Sequence, residues 1–210
     1  MTDIIIVGAG WAGCAAAVAA AKQGARVKLL ERTDMILGTG LAGGILRNNG
    51  RLTAALELEA MGGADLFAAL EPTLRHRNIS FPGHDHADLY DIALAPGAVL
   101  DCLKRWGVTL RTQTRITGIS MSADKTSIES VTDSHGNTYA ADAFLDATGT
   151  AGPTANCARY GNGCSMCILR CPSFGGRVSL AALAGVRELE ARRPDGGPVR
   201  LVTAAELMGL

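Results

Sequence analysis

The sequence carries no excess charge of either sign: 20 basic residues balance 20 acidic ones, which argues against nucleic acid or an anionic membrane surface as the partner. It also lacks any uninterrupted apolar run of membrane-spanning length, about twenty residues. The first apolar run begins at Ile4, leaving no room ahead of it for a basic leader and signal segment, so the cytoplasm is the expected compartment. There, six cysteines are expected to be thiols, cluster ligands or a catalytic pair rather than structural disulfides. A further lack is local. No basic residue occurs before Lys22, so backbone N–H groups at a helix start near the N-terminus would favour an anion there without any lysine. Hydrophobic residues, by contrast, are plentiful: they make up 48% of 210 residues, enough for a substantial core.

The opening of the chain is its most specific feature. Ile4-Ile5-Ile6-Val7 reads as a buried strand and is followed by Gly8-Ala9-Gly10-Trp11-Ala12-Gly13, an alanine-rich stretch from Cys14 to Ala21, and a second strand ending at Glu31. This is strand, glycine turn, helix, strand and carboxylate in the order that a dinucleotide requires. Gly8 allows the sharp turn, Gly10 admits a pyrophosphate, and Gly13 lets the helix lie close to the strand. Alanines favour the helix, Gly24 is placed to end it, and the helix N-terminus attracts the pyrophosphate. Glu31 stands where a carboxylate accepts from ribose hydroxyls.

A second glycine-rich loop follows, Leu37-Gly38-Thr39-Gly40-Leu41-Ala42-Gly43-Gly44, suited to close backbone approach to a large planar ligand. Later, the apolar run Ala143-Phe144-Leu145 ends in Asp146-Ala147-Thr148-Gly149. With Glu31-Arg32 and the strand from Thr114 to Ile119, these pieces resemble, in order and kind, the FAD-dependent oxidoreductases of the glutathione-reductase structural group. The resemblance spans residues 3 to 150. It implies an α/β Rossmann-like FAD-binding domain with a parallel sheet. It also implies a cofactor-binding set of Gly8, Ala9, Gly10, Trp11, Ala12, Gly13, Glu31, Arg32, Gly38, Thr39, Leu41, Gly43, Ile116, Ala147, Thr148 and Gly149. In that set Glu31 holds the adenosine ribose, the second glycine loop passes near the ribityl chain and flavin, Ile116 meets the adenine side through its backbone, and Ala147 to Gly149 lie against the cofactor.

Residues 1–150 are thus expected to form the FAD-binding unit, with an inserted helical and loop region at 45–106 and a small antiparallel β-meander at 108–141. Within the insert, Leu52 to Leu70 reads as a helix broken at Met61-Gly62-Gly63, and Pro96 to Trp106 as another. The segment between them, with His76 and His84-Asp85-His86, reads as a solvated loop or a metal site. Arg75 and Arg77 read as an anion site or a surface charge cluster. The meander is expected to run from Val108 through Ala141, with turns at Ser122 to Lys125 and Ser134 to Asn137.

Residues 151–210 read as a cysteine-rich segment and a helix from about Arg177 to Ala191, an incomplete second domain. Cys157, Cys164, Cys167 and Cys171 fall within fifteen residues, the last followed by Pro172. Four thiolates so placed suit a 4Fe–4S cluster, although six residues rather than two separate the first pair. Cys164 and Cys167 alone suit a CxxC redox pair, a zinc knuckle is a third reading, and incidental thiols a fourth. Cys14 and Cys102 are expected in the core.

The function expected is movement of a hydride or two electrons between a small-molecule substrate and FAD, relayed onward to the cysteines. The sequence names no catalytic acid or base. The rival is a non-catalytic dinucleotide-binding subunit, or a fragment, of a larger flavoprotein complex. Because only 61 residues follow Gly149 and the resembling family continues well past that strand, a partner subunit or homo-oligomer is expected to complete the flavin site.

Overall fold

A computed structural model of the chain describes residues 1–47, 51–82, 84–149 and 171–186. Its centre is a parallel sheet. β1 (Asp3–Val7) leads through the glycine turn into α1 (Trp11–Lys22) and back along β2 (Arg26–Leu30), a βαβ unit. β1 and β2 pair in parallel from Asp3↔Arg26 to Val7↔Leu30. α1 ends as expected: Gly24, at φ 84°, donates to the carbonyl of Ala21.

The insert has more strand than its composition suggests. A single turn α2 (Gly40–Gly43) precedes β3 (Ile45–Arg47). α3 (Arg51–Leu58), a π-turn at Glu59–Gly63 and α4 (Ala64–Leu70) then make the broken helix, with Gly62 at φ 93° at the break. β4 (Leu74–Phe81) and β5 (His84–Tyr90) form a hairpin that joins β3 in an antiparallel sheet. The expected loop is therefore a strand pair. Its irregular register, with Asn78 and His86 at positive φ, explains why no clean alternation marks it in the sequence.

α5 (Ala95–Arg105) returns the chain to the main sheet, where β6 (Thr109–Arg111) pairs parallel to β2. The expectation that the meander starts at Val108 is corrected here. A helical crossover delivers a strand parallel to its neighbour, whereas a meander strand needs a hairpin. The meander is β7 (Ile116–Met121), β8 (Ile128–Asp133) and β9 (Thr138–Ala140), and β10 (Ala143–Asp146) closes the parallel sheet in the order β10-β1-β2-β6. Of the expected C-terminal helix, Leu180–Leu183 is helical and Arg177 and Val178 are not; 187–191 lie outside the described residues.

Alternation along the central strands divides the core into two layers. Ile6 and Leu29 face α1, α4 and α5, meeting Val18, Leu66, Leu70, Val99 and Leu103. Ile5, Val7 and Leu30 face the meander, meeting Ile116 and Val131. Each such side chain contributes about 1.5–3 kcal/mol by leaving water. Both faces being covered, the C-terminal ends of β1, β2 and β10 are where the sheet opens to a ligand.

Candidate cofactor site

Gly8 follows β1 at φ 103° and donates to the carbonyl of Leu30 at 2.7 Å. The turn is packed so tightly that a Cβ on Gly13 would lie 1.8 Å from Gly8 O, and one on Gly8 would lie 2.3 Å from Ala147 O. A Cβ on Gly10 would meet nothing within 4 Å. Gly8 and Gly13 are thus glycines for packing, and Gly10 presents bare backbone to open space. Gly10 is the N-cap of α1, without a side-chain cap, and no acidic residue occupies the first turn. Its leading N–H groups therefore present unneutralised positive potential.

Glu31 follows β2 and is 7% exposed. Oε2 accepts the N–H of Ala9 at 2.8 Å and Oε1 that of Thr33 at 2.9 Å. One carboxylate thereby ties the glycine turn to the loop after β2, with the remaining lone pairs of its two oxygens available to a ligand. The second glycine loop is bound to the same turn: Leu37, at φ 76°, donates to Ala9 O at 2.7 Å and forms a bridge with Gly10.

The third part comes from β10. Ala147 N donates to Val7 O at 2.8 Å. Asp146 Oδ1 accepts from Thr148 N at 3.0 Å and Thr148 Oγ1 at 2.6 Å, while Oδ2 accepts from Ser179 Oγ at 2.9 Å and Ala181 N at 3.1 Å. Burial pushes the Asp146 carboxyl up, but these donors outweigh it and hold the group below the usual carboxylate range. Asp146 thus braces the Ala147–Gly149 loop against the helix at Leu180–Leu183.

These parts surround one cleft of about 330 Å³, at the small end of ligand pockets, roughly 300–1,000 Å³. All of the expected cofactor residues line it except Ala9, Gly13, Leu41 and Gly43. Ala9 and Gly13 shape the turn from behind, Leu41 packs against the core, and Gly43 ends α2.

The cleft also includes residues outside the expected set: Val7, Thr114, Arg115, Arg177 and Val178. Arg32 donates to the carbonyl of Gly175, and Arg115 Nε to that of Gly176 at 3.0 Å. Two arginines thus draw the segment after the cysteine window onto the cleft rim. Only the pair Gly175-Gly176, after Cys171-Pro172, signals this in sequence, because a side chain at Gly175 would clash with Arg115, 2.8 Å from its Nε.

Cys14 and Cys102 are buried, and burial, then the nearby Glu31, pushes the Cys14 thiol up to about 12. Cys157, Cys164 and Cys167 lie outside the described residues; Cys171 opens the short helix Cys171–Phe174. Among the described residues no group of three or more His, Cys, Asp or Glu is arranged to hold a metal ion. His86 Nδ1 instead lies 2.8 Å from Asn78 Oδ1, while Arg75 and Arg77 pair with Asp91 and Glu71. Among the described residues no helix is long and apolar enough to cross a membrane.

Comparison with known proteins agrees with this geometry. No curated protein matches the chain. Among solved structures, PqsL of P. aeruginosa in complex with 2-aminobenzoylacetate is 16% identical with a TM-score of 0.53, covering 92% of this chain and 48% of that one. The Diels-Alderase PyrE3 of pyrroindomycin biosynthesis is 19% identical with a TM-score of 0.50, covering 69% of this chain and 32% of that one. FqzB is 19% identical with a TM-score of 0.50, covering 77% and 39%. The shared feature is the fold, and the chain spans between 32% and 48% of the length of these structures. The model of the FAD dependent oxidoreductase family matches residues 3–157. On that match, and on the FAD-binding Rossmann-type fold, the chain belongs to the FAD dependent oxidoreductase family.

Proposed function

We propose that the chain binds FAD and serves an oxidoreductase that moves a hydride or two electrons between a small-molecule substrate and that cofactor. The observation that carries the reading is the meeting of two glycine-rich segments at one cleft, through the Gly10 and Leu37 bridge, with the buried carboxylate of Glu31 beside them. The residues present fit the group. Bare backbone at Gly10 and the uncapped start of α1 suit the pyrophosphate. Glu31, its orientation set by two backbone donors, suits the ribose hydroxyls. Gly38 and Thr39 on one side, and Ala147 to Gly149 on the other, would flank the rest. When bound, FAD supplies the hydride and electron chemistry, and the chain supplies binding and orientation.

A cleft of about 330 Å³ suits the adenosine diphosphate half better than a whole FAD. We infer that a partner subunit or a second copy completes the flavin pocket. Cys157, Cys164, Cys167 and Cys171 would hold a 4Fe–4S cluster, or Cys164 and Cys167 a dithiol, and either would supply an onward electron acceptor. What supports a redox role for this segment is that Cys171 stands four residues before Gly175, whose carbonyl accepts from Arg32 at the rim.

An absorption spectrum of the anaerobically purified protein, with iron, sulfide and thiol assays, tests the reading. A flavin band bleached by dithionite is expected once FAD is supplied to the chain in its native assembly. No flavin uptake by that assembly refutes the function. Iron with acid-labile sulfide marks a cluster, a reducible thiol pair without iron marks the dithiol, and neither refutes the relay.

A further inference from the structure

We propose that Tyr90, which lies outside the cleft lining, is a positioning residue for FAD: it holds the second glycine loop against the first glycine turn so that one dinucleotide can be gripped by both. The inference rests on the FAD reading and adds the residue that sets the distance between the two gripping segments.

Tyr90 ends β5 and is 4% exposed. Its backbone N–H donates to Gly44 O at 2.8 Å, and its hydroxyl donates to Gly40 O at 2.6 Å. One residue therefore brackets α2 at both ends. The same hydroxyl accepts the indole N–H of Trp11 at 3.2 Å, and the two rings meet edge to face with centroids 5.9 Å apart. Trp11 opens α1 and lines the cleft. The contact path thus runs from the pyrophosphate turn through Trp11 and Tyr90 to Gly40 and Gly44.

The junction has no slack. A Cβ on Gly40 would lie 2.5 Å from Trp11 Nε1 and 2.9 Å from the Tyr90 hydroxyl oxygen. Gly40 is therefore glycine because Trp11 and Tyr90 close over it. Burial also pushes the Tyr90 phenol up, which keeps it a neutral donor.

Tyr90→Phe keeps the ring, the edge contact and the backbone bond, and removes only the hydroxyl that joins Gly40 O to Trp11 Nε1. Gly40→Ala disturbs the same junction from the other side. On the FAD reading ADP would engage the first turn and Glu31, whereas FAD would span both segments, so the two ligands separate positioning from general loosening. Isothermal titration of the chain in its native assembly with FAD and with ADP is the test. Both variants are expected to bind FAD about tenfold more weakly and ADP within about twofold of wild type, the scale of one lost hydrogen bond in a buried network. Equal losses for both ligands, unchanged FAD affinity, or a Tyr90→Phe chain that no longer melts cooperatively overturns the proposal. A native assembly that binds ADP but not FAD overturns the FAD reading and this proposal with it.

Discussion

Replacing Glu31 by glutamine separates the two tasks assigned to one carboxylate, bracing the turn and facing the ligand. A carboxylate only accepts, and here each oxygen takes a backbone N–H, from Ala9 at 2.8 Å and from Thr33 at 2.9 Å, on a side chain 7% exposed. Glutamine has the same shape but one acceptor oxygen. Whichever way the amide turns, its NH₂ faces a backbone N–H, so one buried donor loses its acceptor and the surviving bond loses its charge assistance. An orphaned buried donor costs about 1–3 kcal/mol. Each kcal/mol lowers the melting temperature by roughly 2–4 °C in a domain of this size, so the ligand-free variant should melt about 2–12 °C lower.

Two measurements are needed: thermal melts of the ligand-free chain, and titration with ADP below the variant's melting range. ADP affinity should fall as well, because a charged acceptor for the ribose is replaced by a neutral one; a loss of about tenfold to a hundredfold is expected. A carboxylate serving only the ligand would leave the ligand-free melt unchanged. One serving only the turn would leave ADP affinity unchanged in the folded protein. Glu31→Gln melting with wild type refutes the bracing argument, and undiminished ADP affinity refutes the ribose assignment.

Three further outcomes are expected. Gly13→Ala places a methyl 1.8 Å from Gly8 O, a backbone atom that can yield only by opening the turn; the urea midpoint should fall by the equivalent of about 1–3 kcal/mol, and ADP binding should be lost. Cys14, buried with its thiol pushed up to about 12, should stay unmodified by iodoacetamide at pH 8 in native protein and react on denaturation, as read by peptide mass mapping. Burial pushes the Asp133 carboxyl up, but donors from Asn137, Tyr139 and His135 outweigh it and bring it down from 3.8 to about 2. A depressed folded value means stability that is present above pH 3.8 and lost as pH falls towards about 2. The stability difference between wild type and Asp133→Asn, followed by denaturant midpoints, should therefore shrink across that window, and a constant difference would refute it.

What was legible in the sequence follows from the range of the forces involved. The turn at Gly8 to Gly13 imposes its demands within a few residues, and the helix and strand after it carry Glu31 to a fixed place, so both could be read from spacing alone. β6 is not distinguished from a meander strand by its pattern, because an alternating run looks the same beside β2 as it would in a hairpin; only the crossover through α5 decides between them. β4 and β5 were hidden by polar residues and by positive φ at Asn78 and His86, which break the period-two pattern. The residues missed at the cleft share another cause. Gly175 meets Arg32 across 143 positions, and Tyr90 meets Gly40 across 50. Such contacts obey no spacing rule, since the partner is chosen by how separate elements pack. Glycine bears the imprint of those contacts even so: Gly40 and Gly175 stand where another residue's side chain takes the space of a Cβ. At these two positions the glycine marks a close approach before the sequence can say what approaches.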